Sequence, residues 1–158
     1  MIELRELTMD DAPALQRIYR GASLKYIERR ALTLDEAADL VANTLACARA
    51  EPRDRWAFGI AADDDLLGMV RLRRRTERHA TISYLLREDS WGRGYATQAV
   101  AGMLRHAFTT TGMTSIGARH HPDNTASGRV LQKNKFIYRS TRDGWPQYEL
   151  HKPNSATR

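Results

Sequence analysis

The chain has 158 residues, 42% hydrophobic and 28% charged, which suits one globular domain with a core rather than a disordered chain. No apolar run approaches the roughly 20 residues of a transmembrane helix, and the alternating acidic N-terminus is unlike a secretory signal, so we predict a cytoplasmic protein. The net charge of +6 and pI of about 9.8 favour an anionic partner, either a nucleic acid or a polyphosphate ligand.

The first half of the chain predicts a strand, two helices and a three-stranded meander. Apolar and charged residues alternate over residues 2–7, which predicts a strand, and Thr8 with Asp11 forms a capping box for a helix. A second helix begins near Thr33 and ends at residues 51–52, where Glu-Pro stops it. Strand-like runs at 56–61, 66–73 and 80–86 are joined by short turns, which indicates an antiparallel meander.

The second half predicts alternating helices and strands. Apolar residues take helical spacing over residues 96–108, and Gly112 ends that helix. A strand at 114–119 precedes a helix that is capped by Asp123 or Asn124 and runs through Lys133. Two strands, 136–139 and 147–151, close a single domain over residues 1–152, and residues 153–158 are predicted to form a loose tail.

Two glycines, at positions 92 and 94, stand between the meander and the long helix. Glycine lets the backbone approach a ligand closely, and the first amides of a helix lie unpaired at the positive end of its dipole. Residues 90–97 therefore suit a phosphate group, although a plain strand-to-helix turn would use the same glycines. The segment is neither a Walker loop nor a complete dinucleotide-binding fingerprint.

Residues 91–99, Trp-Gly-Arg-Gly-Tyr-Ala-Thr-Gln-Ala, resemble the pyrophosphate-binding signature of the GNAT N-acetyltransferases. The resemblance is to the branch of ribosomal-protein-alanine N-acetyltransferases, the RimJ/RimL-like enzymes. In the signature Gln/Arg-x-x-Gly-x-Gly/Ala, Trp91 takes the first place, Gly94 the middle glycine and Ala96 the last position. Residues 124–136, with Asn-x-x-Ser followed by Val-Leu-x-Lys and Phe, resemble a second helix motif of the family.

The resemblance implies the GNAT fold, a mixed, mostly antiparallel α/β sheet of about six or seven strands flanked by about four helices. The sheet would be splayed at strands 4 and 5, which end near Leu86 and Arg119, and acetyl-coenzyme A would lie in the gap. Backbone near residues 85–87 would face the pantetheine arm, the amides of residues 92–97 would hold the pyrophosphate, and Lys133 is a further phosphate candidate. The implied cofactor-binding residues are Leu85, Leu86, Arg87, Gly92, Arg93, Gly94, Tyr95, Ala96, Thr97, Asn124, Ser127 and Lys133.

The implied reaction is direct transfer of the acetyl group to a primary amine, either of a protein N-terminus or of an antibiotic, polyamine or amino acid. Many family members protonate the departing thiolate with a tyrosine, whose place is taken here by Leu131. Ser127 is the substitute, although a serine that only hydrogen-bonds the helix backbone or the pantetheine would look the same. Tyr138 is a weaker candidate. Because the tyrosine is missing, a non-catalytic module that senses acyl-coenzyme A is the alternative function.

The general base is less clearly marked, since Thr81 stands where the family often has a glutamate. The remaining candidates are Glu88, His120, His121, Glu149 and a water relay. His120 ranks first because it follows the second splayed strand and imidazole titrates near neutrality. Lys135 replaces the family's usual glycine before the final phenylalanine of the second motif.

Other features limit the remaining classes of function. Cys47, the single cysteine, excludes an internal disulfide and is expected to be a buried structural thiol. The paired histidines 120 and 121 lack further ligands at zinc spacing, so no metal is predicted. We predict no nucleic-acid or membrane partner, and a homodimer remains open. Trp56 is expected in the core.

The sequence also contains a basic run, Arg71, Arg73, Arg74 and Arg75. This run is either a solvated face or a contact for an acidic acceptor or the cofactor's adenosine phosphates.

Overall fold

The computed structural model describes residues 1–27 and 29–153, which form a seven-stranded sheet with helices on both faces. The elements follow the predicted order, and only Pro153 of the predicted loose tail, residues 153–158, falls within the described residues. The strands are β1 Glu3–Arg5, β2 Arg55–Ala62, β3 Asp65–Arg74, β4 His79–Leu86, β5 Ser115–Arg119, β6 Ile137–Arg142 and β7 Trp145–His151. The helices are α1 Ala12–Ile18, α2 Leu34–Arg49, α3 Tyr95–Thr110 and α4 Thr125–Lys133.

The sheet is mixed, with the strand order β1-β2-β3-β4-β5-β7-β6. All neighbouring strands are antiparallel except β4 and β5, which are parallel. These two strands pair only at residues 79–81 and 115–117, and beyond that point they separate. The predicted fold, including the splay between strands 4 and 5, is therefore confirmed.

Alternating side chains of the central strands fill two separate cores. Val70 and Leu72 point to the face covered by α3 and α4, where Trp56 is also buried as predicted. Met69 points to the opposite face, where it packs with α1 and α2. Complete burial of an apolar side chain of this size contributes roughly 1.5–3 kcal/mol to stability. The apolar side chains on both faces of β3 therefore fix the sheet between two layers of helices.

Two capping boxes fix the helices on the α1–α2 face. Thr33 caps α2, since its Oγ1 accepts from the Glu36 amide at 3.1 Å and its own amide donates to Glu36 Oε1 at 3.0 Å. The predicted box before α1 is also present, with the Thr8 amide donating to Asp11 Oδ2 at 2.7 Å. Arg5 of β1 makes an ion pair with Asp11 at 2.9 Å, and its guanidinium lowers the pKa of that carboxyl. The pair ties the first strand to the start of the helical layer.

Helix α4 ends in a Schellman motif that contains a lysine in place of the usual glycine. The Phe136 amide donates to the Leu131 carbonyl at 3.0 Å and the Lys135 amide to the Gln132 carbonyl at 3.0 Å. Lys135 has φ of 70°, in the left-handed region that glycine occupies without strain. The turn keeps its shape despite the substitution, at the expense of local backbone strain.

Candidate active site

A large groove opens where β4 and β5 separate. It encloses about 2030 Å³ and is lined by the end of β4, the glycine loop, β5, α2 and the first turns of α3 and α4. A typical pocket for one drug-sized ligand encloses about 300–1,000 Å³. The groove therefore has room for two substrates at once.

The backbone of β4 presents alternate amides to this gap. The Arg87 amide donates to the Leu67 carbonyl of β3 at 2.7 Å. Because the direction of the backbone amide alternates along a strand, the Leu85 amide also points toward β3. The amides of Tyr84 and Leu86 point the other way, toward the gap. Of the three residues predicted to face the cofactor, Leu85 and Leu86 line the groove, and the Leu86 amide points into the gap.

Arg87 is occupied in bracing the loop that follows β4. Its carbonyl accepts from the Ser90 amide at 3.0 Å and from Ser90 Oγ at 2.7 Å. Its guanidinium pairs with Asp65 at 2.8 Å and with Asp89 at 2.7 Å, and these carboxylates raise the pKa of Arg87. The backbone amide and carbonyl of Arg87, which were predicted to face the cofactor, thus make hydrogen bonds within the protein.

The glycine loop turns through two residues in the left-handed region. Gly92 has φ of 76° and Gly94, the N-cap of α3, has φ of 78°. The amides of residues 92–97 have no hydrogen-bond acceptor among the residues that the structure describes, and Gln98 is the first to bond back, to the Gly94 carbonyl at 3.1 Å. Trp91 holds the loop from the other side, since its Nε1 donates to the Leu86 carbonyl at 3.0 Å.

This row of unpaired amides is the arrangement that binds a diphosphate. A fixed set of donors at the positive end of a helix meets anionic oxygens without having to break other bonds. Asn134 keeps α4 against this turn, because its Nδ2 donates to the Thr97 carbonyl at 3.2 Å and to the Val130 carbonyl at 3.1 Å. Sequence reasoning missed Asn134, whose contact with residue 97 carries no local signal. Lys133, the preceding residue, lines the same groove.

Helix α4 brings two predicted residues to the gap. Asn124 is the N-cap, with Oδ1 accepting from the Ser127 amide at 3.2 Å, and its Nδ2 makes no hydrogen bond to the described protein groups. Ser127 Oγ lies 2.5 Å from Tyr84 Oη of β4. Leu131, at the place of the family tyrosine, is completely buried in the core.

Tyr84 is a site residue that the sequence did not reveal. Burial raises the pKa of its phenol to about 12, and the hydrogen bond between Tyr84 and Ser127 opposes this shift only in part. Tyr84 therefore remains protonated throughout the pH range of most enzymes. The signal that could have found it is the period-two alternation of β4, which places residues 82, 84 and 86 on the α4 face.

His120 is buried, and both of its ring nitrogens are hydrogen-bonded. Nδ1 lies 2.7 Å from the His121 carbonyl, which can only accept, so Nδ1 carries the proton in the neutral ring. Nε2 then accepts from Tyr148 Oη at 3.3 Å. A Cβ at Gly128 would lie 3.0 Å from His120 Nε2, so this glycine leaves the space that the pair occupies.

The remaining candidate acids and bases are divided between the groove and other surfaces. Thr81, His121 and Glu149 line the groove, whereas Glu88 and Tyr138 do not. His121 Nδ1 accepts from the Asp123 amide at 3.0 Å, and Glu149 lies 2.5 Å from His151. The lone pair of each histidine, 120 and 121, is thus already engaged.

Three further expectations concern the surroundings of the groove. Cys47 is only half-buried and lines the α2 wall, so the prediction of a buried structural thiol is wrong. Within residues 1–27 and 29–153, no three His, Cys, Asp or Glu side chains gather as metal ligands. Across the same ranges, no helix combines the length and apolar character needed to cross a bilayer.

Comparison with known proteins gives a family match over most of the chain. The acetyltransferase (GNAT) domain family matches residues 2–137. An uncharacterized N-acetyltransferase of Bacillus subtilis, YoaA, is 27% identical over 137 residues, which cover 84% of this chain and 77% of the relative.

Solved structures have the same architecture. RimL, a ribosomal α-N-protein acetyltransferase in complex with coenzyme A, superposes with a TM-score of 0.85 at 17% identity, covering 95% of this chain and 93% of that one. RimJ of Mycobacterium smegmatis, in complex with a coenzyme A disulfide, gives 0.82 at 23% identity, covering 95% and 81%. At these identities the likeness concerns the fold.

Proposed function

This chain belongs to the GNAT acetyltransferase family and is an N-acetyltransferase that uses acetyl-coenzyme A, and we propose that it acetylates a primary amine in the cytoplasm. The acceptor amine belongs to a protein N-terminus or to a small molecule, and the transfer is direct. The observation that supports this proposal is the gap between β4 and β5, which leads into six amides, at residues 92–97, with no acceptor among the described residues.

The cofactor contacts follow from the donors that the fold leaves free. The amides of residues 92–97 hold the pyrophosphate, with Lys133 adding positive charge at the rim. The Leu86 amide faces the thioester carbonyl, and Asn124 Nδ2 donates to the pantetheine. When bound, acetyl-coenzyme A supplies an activated acyl group, and these residues orient it toward the open side of the gap.

Ser127 and Tyr84 act together on the departing sulfur. Because the Tyr84 pKa lies near 12, the phenol stays protonated, and we assign it as the donor in its contacts with Ser127 Oγ and with the Ser127 carbonyl at 3.3 Å. The Ser127 hydroxyl is then free to direct its own proton toward the groove. Ser127 supplies the proton that the sulfur accepts and takes a proton back from solvent in the groove, while Tyr84 holds the serine in position.

The acceptor amine must lose a proton, since an ammonium has no lone pair for attack. An α-amine, with a pKa near ~8, needs less help than a lysine near ~10.4. We assign the base role to His120 acting through the Tyr148 hydroxyl, which already donates to Nε2. The amine proton passes to Tyr148 Oη as the phenol proton moves to His120.

Two measurements test the proposed function. Calorimetry with acetyl-coenzyme A is expected to show 1:1 binding, and a thiol-release assay is expected to show coenzyme A release only when an amine is added. Gly94→Ala should weaken this binding, and Gly112→Ala is its matched control, because Gly112 has φ of 80° at the far end of α3 and no role at the groove. Binding without release for any amine would favour the acyl-coenzyme A sensor, and absence of binding would contradict both functions.

A further inference from the structure

Four arginines form the floor of the groove on the α1–α2 face of the sheet. They are Arg55 of β2, Arg71 and Arg73 of β3, and Arg75 just after β3, and we call them the arginine floor. Arg55 stands directly opposite Arg73 in the sheet register. Arg75 Nε donates to Thr81 Oγ1 of β4 at 2.9 Å, which carries the floor to the edge of the gap.

Successive side chains of β3 lie on opposite faces of the sheet, so only part of the basic run belongs to the arginine floor. Val70 and Leu72 are buried on the opposite face, as the sequence predicts for neighbours of residues 71 and 73. Arg74 also leaves the floor: its guanidinium lies 5.4 Å from the centre of the Trp56 ring, and Nη1 donates to the Glu77 carbonyl at 2.6 Å. The floor is therefore a selected set of arginines within the groove.

The charges of the floor are not balanced by the described protein. No carboxylate oxygen of residues 1–27 and 29–153 lies within 4.0 Å of these four guanidinium groups. Like charges directly opposite each other in a sheet, as in Arg55 and Arg73, are destabilising. Across the sheet from Arg73, the paired residues are Thr81, Gly117 and then Glu149. Glu149 is the first carboxylate in this direction, and it lies three strand spacings, or about 14 Å, from Arg73. An anion bound in the groove would remove this repulsion.

The cofactor phosphates do not supply that anion. Arg73 lies opposite Thr81, and β4 continues for five more residues to Leu86 before the glycine loop begins. At about 3.3 Å per residue, that is about 16 Å along the strand. Arg71 lies opposite Ser83 and is nearer, at three residues or about 10 Å. The floor thus lies away from the pyrophosphate amides, on the face of the sheet opposite α3.

We propose that the arginine floor binds a polypeptide acceptor whose free N-terminus is followed by acidic residues, an inference that rests on the proposed function. Arg71 and Arg73 share a face two residues apart, about 6.6 Å, which matches alternate side chains of an extended peptide. From Arg71 to Arg75 the floor spans about 13 Å, longer than a single amino acid. Arg71 is also held in place, since its Nη2 donates to Tyr19 Oη at 2.6 Å.

The test compares acceptor peptides of equal length in the full-length enzyme. One carries a free α-amine followed by alternating Asp and Glu, and the other has Asn and Gln at those positions. The acidic peptide is expected to give about tenfold higher kcat/KM at low salt, because several exposed ion pairs each contribute a small factor. The advantage should shrink as salt is raised, since exposed charges are screened.

Two variants assign the effect to the floor. The double variant Arg71→Gln/Arg73→Gln should lose the preference for the acidic peptide but keep the wild-type affinity for coenzyme A. The control Arg105→Gln alters an exposed arginine of α3 outside the groove lining and should behave as wild type. Equal kcat/KM for both peptides in the wild type would overturn the proposal, and so would free glutamate or aspartate serving as well as the acidic peptide.

A binding measurement separates this inference from the proposed function. Fluorescence anisotropy with an N-acetylated acidic peptide reports on the floor without any turnover. This peptide should bind more tightly than the N-acetylated peptide with Asn and Gln in place of Asp and Glu, and the difference should disappear in the double variant. That result supports the floor even if no acetylation is detected. Equal binding of both peptides would refute the floor while leaving the acetyltransferase activity intact.

Discussion

Replacement of Tyr84 by phenylalanine gives a direct test of the pair at the gap. The Tyr84 side chain is half-buried, and its phenol oxygen lies 2.5 Å from Ser127 Oγ. A buried hydrogen bond between neutral groups contributes a net ~0.5–1.5 kcal/mol. Since about 1.4 kcal/mol corresponds to tenfold in rate, Tyr84→Phe should lower kcat about two- to tenfold if the bond only positions the serine.

Ser127→Ala removes the proton donor itself and should therefore cost more, roughly 100-fold or above in kcat. The double variant should be no slower than Ser127→Ala, because Tyr84 acts only through the serine. The Tyr84→Phe ratio should stay constant from about pH 6 to 10, since a phenol with a pKa of about 12 does not titrate there.

The assay is thiol release at saturating amine and acetyl-coenzyme A, with calorimetry to confirm that cofactor affinity is unchanged. Tyr138→Phe is the matched control, since Tyr138 is exposed and bonds to Thr141 outside the groove. Multiplicative losses in the double variant, or a Tyr84→Phe ratio that changes with pH, would refute the positioning role.

Three further predictions concern the backbone and pH. Gly94→Ala and Gly112→Ala should destabilise the fold similarly, since both glycines have φ near 80°, but only Gly94→Ala should weaken coenzyme A binding, about tenfold by calorimetry. Lys135→Gly should raise the free energy of unfolding by about 1 kcal/mol in urea, because it relieves left-handed strain. Asp11→Asn should lower the free energy of unfolding by about 1 kcal/mol at pH 7, because it removes the ion pair with Arg5. Since Arg5 lowers the pKa of Asp11 in the folded protein, this stabilisation is present above the unfolded-state pKa of about 3.9 and is lost as the pH falls through the folded-state pKa.

Each of these predictions has a clear contrary result. Equal cofactor affinity in the two glycine variants would mean that the loop amides do not bind the diphosphate. A destabilised Lys135→Gly protein would mean that the lysine side chain contributes more than its backbone costs. A difference between wild type and Asp11→Asn that persists unchanged to pH 2 would exclude the Arg5 ion pair as the source of stability.

Local patterns in the sequence predicted most of the fold. The helical spacing of residues 96–108, the alternation around Val70 and the capping residues Thr8 and Asn124 each depend on neighbours within a few positions. The order of the elements and the position of the glycine loop follow from such patterns. The resemblance of residues 91–99 and 124–136 to family motifs then predicted acetyl-coenzyme A as the ligand, and the family match supports that cofactor.

Only the tertiary structure decided which side chains meet at the site. Tyr84 and Ser127 are 43 residues apart, and His120 and Tyr148 are 28 apart, so no local periodicity connects either pair. The arginine floor likewise depends on the register between β2 and β3, which places Arg55 opposite Arg73. Local patterns determine which face of its own helix or strand a side chain occupies. Contacts between elements depend instead on how the strands pair and the helices pack across the whole sheet.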